Sequence, residues 1–110
     1  MSARPDAELS VPHSLYRCFD ASGQLLYIGV ARNVGERMFH HLHLCNAAKT
    51  PNGYLRRHMK DFTVQVYPSK LEARAAERAA INVEAPLLNR QHNPSRFRKN
   101  AAGQYEAVAS

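Results

Sequence analysis

Two tyrosines at positions 16 and 27, an arginine at 37 and a glutamate at 77 are the residues of this chain whose types could act together on a phosphodiester. A guanidinium offers five fixed donors that match phosphate oxygens, so arginine suits the stabilisation of charge at a pentavalent phosphorus. A carboxylate suits Mg²⁺, which keeps most of its waters and needs only one or two protein ligands beside substrate phosphate. A phenol has an ordinary pKa of about 10, and a nearby cation plus a metal would lower it towards taking a proton from water. Each residue also has a plainer reading. Arg37 could be a solvent-facing helix charge, Glu77 a partner for Arg74 or Arg78, and the tyrosines ordinary strand aromatics. Spacing has to decide between the two.

The stretch LYRCFDASGQLLYIGVARNVGERMFHH resembles the GIY-YIG nuclease module. Tyr27-Ile28-Gly29 keeps the second signature intact, and the first is altered to Ser14-Leu15-Tyr16. Arg37, His41, Glu77 and the Pro86/Asn89 ending follow in family order over residues 13 to 89. The resemblance implies a metal-dependent DNA endonuclease leaving 5′-phosphate and 3′-hydroxyl ends. Its implied catalytic residues are Tyr16, Tyr27, Arg37, His41 and Glu77, with Tyr16 the better candidate base and Tyr27 orienting the water or the phosphate. Glu77 is the implied ligand of one Mg²⁺ or Mn²⁺ ion, and Gly29 and Asn89 support the site. Many relatives carry lysine after the second signature where this chain has Val30, which removes one expected phosphate donor. The rival reading is a nucleic-acid-binding module that keeps the fold without the activity. His40, His41 and His43 also raise zinc, but consecutive histidines point to different helix faces and a structural zinc wants four convergent ligands.

Composition agrees with a polyanionic partner. The 110 residues carry a formal net charge of +6. Positions 90 to 99 hold Arg90, Arg96, Arg98 and Lys99 and no acid, with Phe97 between two arginines. Arg32 and these four cations are the candidate DNA-backbone contacts, the last four on an extended tail whose aromatic could stack on an unpaired base. Cys18 and Cys45 lack CxxC spacing and read as reduced structural thiols. No apolar run approaches the roughly 18 residues that span a bilayer, and MSARPDAELS lacks the apolar core of a signal peptide, so a cytoplasmic protein without membrane contact is expected. A chain this size accommodates one modest core. With no separate specificity domain, target choice would fall to a homodimer or a targeting partner protein.

The elements that must position these residues are readable from pattern. Residues 1–11 form a polar leader expected to be disordered, 12–89 the nuclease domain and 90–110 a basic C-terminal tail. Strands at about His13 to Phe19 and Leu25 to Val30 flank the turn signal Asp20-Ala21-Ser22-Gly23. A tight hairpin sets Tyr16 directly opposite Tyr27, a glycine bulge shifts the pairing by one, and the sequence leaves both open. Asn33 and Glu36 look like a helix cap, with Val34, Met38 and Leu42 as the buried stripe and Arg37 and His41 sharing the neighbouring face. Cys45 to Asn52 reads as a loop before a second helical segment near Tyr54 to Met59. Phe62, Val64 and Val66 alternate with polar residues as a half-buried strand. Ser69 and Glu72 open an alanine-rich helix running to about Glu84, closed by Pro86. The order ββααβα predicts an α+β fold, a small three-stranded antiparallel sheet flanked by helices.

Overall fold

The computed structural model of the protein describes residues 11–41, 51–89, 91–93, 96–99, 101–102 and 105–108. The leader up to Ser10, together with Leu42, His43, Cys45 and Arg90, lies outside the described residues. Strands β1 (His13–Phe19), β2 (Leu25–Ala31) and β3 (Asp61–Tyr67) form one antiparallel sheet in the order β2-β1-β3. Helices α1 (Val34–Phe39), α2 (Pro51–His58) and α3 (Lys70–Glu84) accompany it in the predicted order. This is the expected α+β arrangement. Two further strands, β4 (Arg96–Lys99) and β5 (Tyr105–Val108), pair with each other as a separate antiparallel hairpin. Arg96, Arg98 and Lys99 therefore lie on a strand, not on the extended tail that their charge pattern suggested.

The turn chemistry is the predicted one. Asp20 Oδ1 accepts from Ser22 N at 2.9 Å, Ser22 Oγ at 2.7 Å and Gln24 N at 2.9 Å, while Gly23 takes φ +86°. An extra residue at Leu26, where the ladder shifts between Cys18 and Phe19, moves the pairing one step beyond the bulged register and two beyond the tight one. Tyr16 faces Gly29, and Cys18 faces Tyr27. Opposed residues of an antiparallel pair share a face, so Tyr16, Tyr27 and Gly29 come together diagonally on one side of the sheet.

Each face has its own core. Tyr16, Cys18, Leu26 and Ala31 pack with Met38 of α1, Leu55 of α2, and Leu87 and Leu88. Leu15, Ile28 and Val30 pack with Ala73, Ala80 and Ile81 of α3. Val30 is thus a core residue under α3, 6% exposed, and not a surface position from which a cation has merely been removed. Cys18 is a free buried thiol whose pKa burial pushes up to about 12, which keeps it protonated and inert.

Three local expectations change. Helix α2 begins at Pro51, inside the segment read as a loop, because proline is well tolerated in a first helical turn. Strand β3 has the predicted alternation but is not half-buried: Phe62, Val64 and Val66 are 42%, 46% and 66% exposed at the sheet edge. Alternation fixes which way side chains point, not whether anything covers them. Finally, α1 ends in a wider π-type turn at His40 and His41. That turn breaks the i, i+4 relation, leaving Arg37 exposed and His41 buried.

The caps of α1 and α3 match the sequence, with Asn33 Oδ1 accepting from Glu36 N at 3.0 Å and Ser69 Oγ from Glu72 N at 3.1 Å. At its far end α3 stops at Ala85 in the left-handed conformation, and Arg17 of β1 grips Glu84 through two bonds of 2.9 and 2.7 Å. The chain then runs along the outer edge of β2. Leu87 N donates to Leu25 O at 3.2 Å and Leu88 N to Leu26 O at 2.8 Å. Asn89 completes the edge with its side chain: Oδ1 accepts from Ile28 N at 2.9 Å and Nδ2 donates to Ile28 O at 2.8 Å. Its carboxamide stands in for a peptide group in the ladder. Asn93 Nδ2 locks the following turn by donating to Pro86 O at 2.7 Å and Asn89 O at 2.9 Å.

Asn89→Ala should destabilise the protein by about 1–3 kcal/mol, because it strands the Ile28 amide and carbonyl. Asn89→Asp should also destabilise it, since a second oxygen then faces the Ile28 carbonyl. Urea unfolding checks both, and a silent Asn89→Ala would reduce Asn89 to a helix-exit residue.

Candidate active site

Tyr16 lies at the centre of the candidate site. It has no exposed surface, its Oη is 3.1 Å from His41 Nε2, and its ring centroid is 6.0 Å from those of both Tyr27 and His41. Tyr27 meets His41 edge-on at 5.8 Å, completing a triangle of three rings. Gly29 makes that triangle possible. A Cβ there would collide with the Tyr16 Oη and would come within 2.5 Å of Tyr16 Cζ and 2.8 Å of Tyr27 Cε2. The glycine of the second signature is therefore required by the ring that lies across it, with no need for positive φ.

Electrostatics keep the cluster neutral. Burial pushes the Tyr16 phenol well up, Tyr27 adds to the rise, and the Arg37 cation opposes it. Tyr27 is also raised, first by burial and then by the Glu77 carboxylate, with Arg37 again opposing. Arg37 alone does not draw either phenol down, because loss of hydration outweighs its charge. His41 is depressed to about 4 by burial, then by Arg37 and His40. It is a neutral imidazole near pH 7. Its Nδ1 is buried and, among the described residues, has no hydrogen-bond partner.

Glu77 and Arg37 flank this cluster from different helices. Glu77 is only 13% exposed, as expected for a residue beside Ala73, Ala80 and Ile81, and one oxygen accepts from Arg74 Nη1 at 3.1 Å. The pairing that competed with a site role is thus present, yet the carboxylate also lines a pocket of about 260 Å³ with Tyr27, Asn89 and His92. Among the described residues no cluster of three or more His, Cys, Asp or Glu side chains forms a metal cage. A single carboxylate beside open volume fits a largely hydrated Mg²⁺ or Mn²⁺ and does not fit a structural zinc. Arg37 lines a separate groove of about 970 Å³ with Arg32, His40 and Val64. It acts on all three rings through its field.

Residues 12–93 match the GIY-YIG catalytic domain. The chain belongs to the GIY-YIG family. Among curated proteins no relative matches it. Membership carries nuclease-type phosphodiester hydrolysis as the general chemistry and nucleic acid as the general substrate. No helix among the described residues is long and apolar enough to cross a membrane.

Of the residues singled out in the sequence, Tyr16, Tyr27, Gly29 and His41 meet in one ring cluster, Glu77 and Asn89 share a pocket with Tyr27, and Arg37 lines a separate groove. Arg32 joins the Arg37 groove; Arg96, Arg98 and Lys99 sit on the separate hairpin. Sequence reasoning offered Arg74 only as a competing partner of Glu77, and it missed His92, a pocket residue with φ +63°. The i, i+3 spacing of Arg74 to Glu77 was visible; the left-handed turn at His92 had no sequence signal beyond its neighbouring Asn93.

Two measurements test this geometry. Gly29→Ala should cost about 1–3 kcal/mol through overpacking, and a double-mutant cycle with Tyr16→Leu should show strong sub-additivity because the smaller side chain vacates the space. For His41, the unfolded state takes up a proton near pH 6.5 and the folded state only near 4, so its contribution is complete above about 6.5 and is lost as pH falls towards 4. His41→Gln should flatten the acid side of the stability profile in that window, and an unchanged slope would mean His41 is not held neutral.

Proposed function

We propose that this protein is a metal-dependent DNA endonuclease that hydrolyses phosphodiesters with water. The observation that carries the reading is the Tyr16–Tyr27–His41 ring cluster, which feels the Arg37 cation and, at both phenols, the Glu77 carboxylate. Neither phenol is a free base, since burial holds both protonated. Such a phenol takes a proton only while it gives its own away. Tyr16 has a receiver, the neutral His41, whose Nε2 lies 3.1 Å from its hydroxyl and accepts from it in the tautomer protonated at Nδ1. As water oxygen bonds to phosphorus, its proton passes to the Tyr16 oxygen while the phenol's proton moves to Nε2, leaving His41 an imidazolium; the bond to the leaving oxygen breaks with its electron pair on that oxygen, which takes its proton from solvent.

An incoming phosphate helps this relay. Its negative charge offsets the Arg37 field that depresses His41, so the imidazole becomes a better base once substrate is in place. Arg37 then stabilises the charge that develops on the phosphoryl oxygens. Tyr27, which lines the Glu77 pocket, orients water there. Glu77 is the residue to hold a divalent ion, which supplies Lewis-acid stabilisation and a more acidic water. Arg74 keeps its carboxylate in place.

Supercoiled plasmid incubated with Mg²⁺, Mn²⁺ or EDTA tests the reading. Nicking should require the metal and disappear in Glu77→Ala with folding intact; cleavage in EDTA, or a fully active Glu77→Ala, removes the metal site. Arg37→Ala should slow single-turnover cleavage on the order of 10²-fold. Arg37→Lys should rescue it poorly, since an ammonium lacks the planar fork. Wild-type rates in the lysine variant would make Arg37 a surface charge.

A further inference from the structure

The unused feature of this fold is the outer strand. Strand β3 carries Phe62, Val64 and Val66 on the same face as Tyr16, since they oppose Cys18, Tyr16 and Ser14 in the ladder. All three are substantially exposed. Edge strands are usually protected by lysine, proline or a bulge, and β3 has none of these between Asp61 and Tyr67. Val64 also lines the groove that contains Arg32, Arg37 and His40. Val64 therefore joins the apolar strip to a groove whose charged side chains are two arginines and one carboxylate, Glu36.

That combination has a specific chemical complement. A paired duplex offers phosphates outside and hides its base faces, so it satisfies the arginines and leaves the strip in water. A protein partner covers the strip and leaves the arginines without anions. An unpaired strand offers both, phosphates on one edge and apolar base faces on the other, and sheet residues with an aromatic among them are a suitable platform for such bases. We propose that the Phe62–Val64–Val66 strip and the Arg32/Arg37 groove form a track for an unpaired DNA strand, so that the preferred substrate carries unpaired nucleotides beside the cut. Arg32 holds a flanking phosphate, and Phe62 and Val64 receive the adjoining bases. This rests on the nuclease reading and narrows its substrate class.

Fluorescence anisotropy in EDTA separates the two. Labelled single-stranded, flapped and fully paired oligonucleotides of one sequence are titrated with wild type, Phe62→Ala, Val64→Ser and, as a control on the opposite face, Thr63→Ala. Wild type should bind single-stranded and flapped DNA more tightly than duplex. Phe62→Ala should weaken binding to unpaired DNA on the order of tenfold, the scale of one lost stacking contact, while duplex binding changes little and Thr63→Ala is neutral. Arg32→Gln should lower the salt slope of log K by about one on every substrate, as for one neutralised phosphate. Equal losses on paired and unpaired DNA, or no loss at all, overturn the track even if plasmid is still nicked with Mg²⁺. If no DNA is bound or cut by wild type, the nuclease reading itself falls. Light scattering on the same proteins covers the remaining outcome: a dimer that Val64→Ser dissociates without changing DNA binding makes the strip an interface between copies and overturns the proposal.

Discussion

The position of Tyr16 across Gly29 is the constraint on which the site depends. It exists because the pairing beyond the extra residue at Leu26 sets Gly29, two residues on from Tyr27, opposite Tyr16 and leaves Tyr27 on the diagonal. A directly opposed tyrosine pair would place one ring against the other across the ladder and give neither room beneath His41. With glycine below it, the Tyr16 ring lies close to the sheet, and His41 reaches its hydroxyl from α1. Two register steps thus separate a directly opposed tyrosine pair from the observed hydrogen-bonded cluster.

Much of this was legible in the sequence, and the unread part has definable causes. The turn at Asp20, the caps at Asn33 and Ser69, and the existence of three strands all rest on local chemistry that few residues determine. The hairpin register does not. A bulge changes it by a step while every local preference remains satisfied, so the pairing of Tyr16 with Gly29 emerges only when the second core face is packed. The same limit applied to β3, whose alternation is right and whose cover is absent at Phe62, Val64 and Val66. At the end of α1 a π-type turn replaced the assumed period, which separated Arg37 from His41. For the site, residue types and order were visible, whereas the sign of the tyrosine shifts was not, because burial is a property of the fold.

Those shifts change the chemistry that the residues can perform. In water a phenol beside an arginine gains acidity; in this cluster the cost of desolvating a phenolate exceeds what Arg37 returns. The cluster is accordingly built from neutral partners, two phenols and an imidazole. A relay through Tyr16 would avoid a buried phenolate and would leave the proton on the His41 imidazole. Burial is the first cause of the depressed His41 and the Arg37 charge the second, so an anion paired with Arg37 would relieve only the second.

The distance between this cluster and Glu77 must also be held, although the two come from different faces of the sheet. Glu77 belongs to α3, which packs on the Leu15–Ile28–Val30 face, whereas Tyr16 and Tyr27 belong to the other. The chain solves this at the edge of β2. After α3 it turns at Ala85, pairs along Leu25 and Leu26, and fastens Asn89 to both backbone groups of Ile28. Ile28 is the residue between Tyr27 and Gly29, so the clamp grips the strand between the phenol of the pocket and the glycine under the other ring. Asn93 then ties the clamp back to Pro86 at the end of α3. Helix, clamp and signature strand form a closed loop of hydrogen bonds, and displacement of Glu77 relative to Tyr27 requires breaking bonds at one of its joints. An asparagine after a proline-closed helix is thereby a dimension-setting part of the site, although it carries no charge and performs no chemistry.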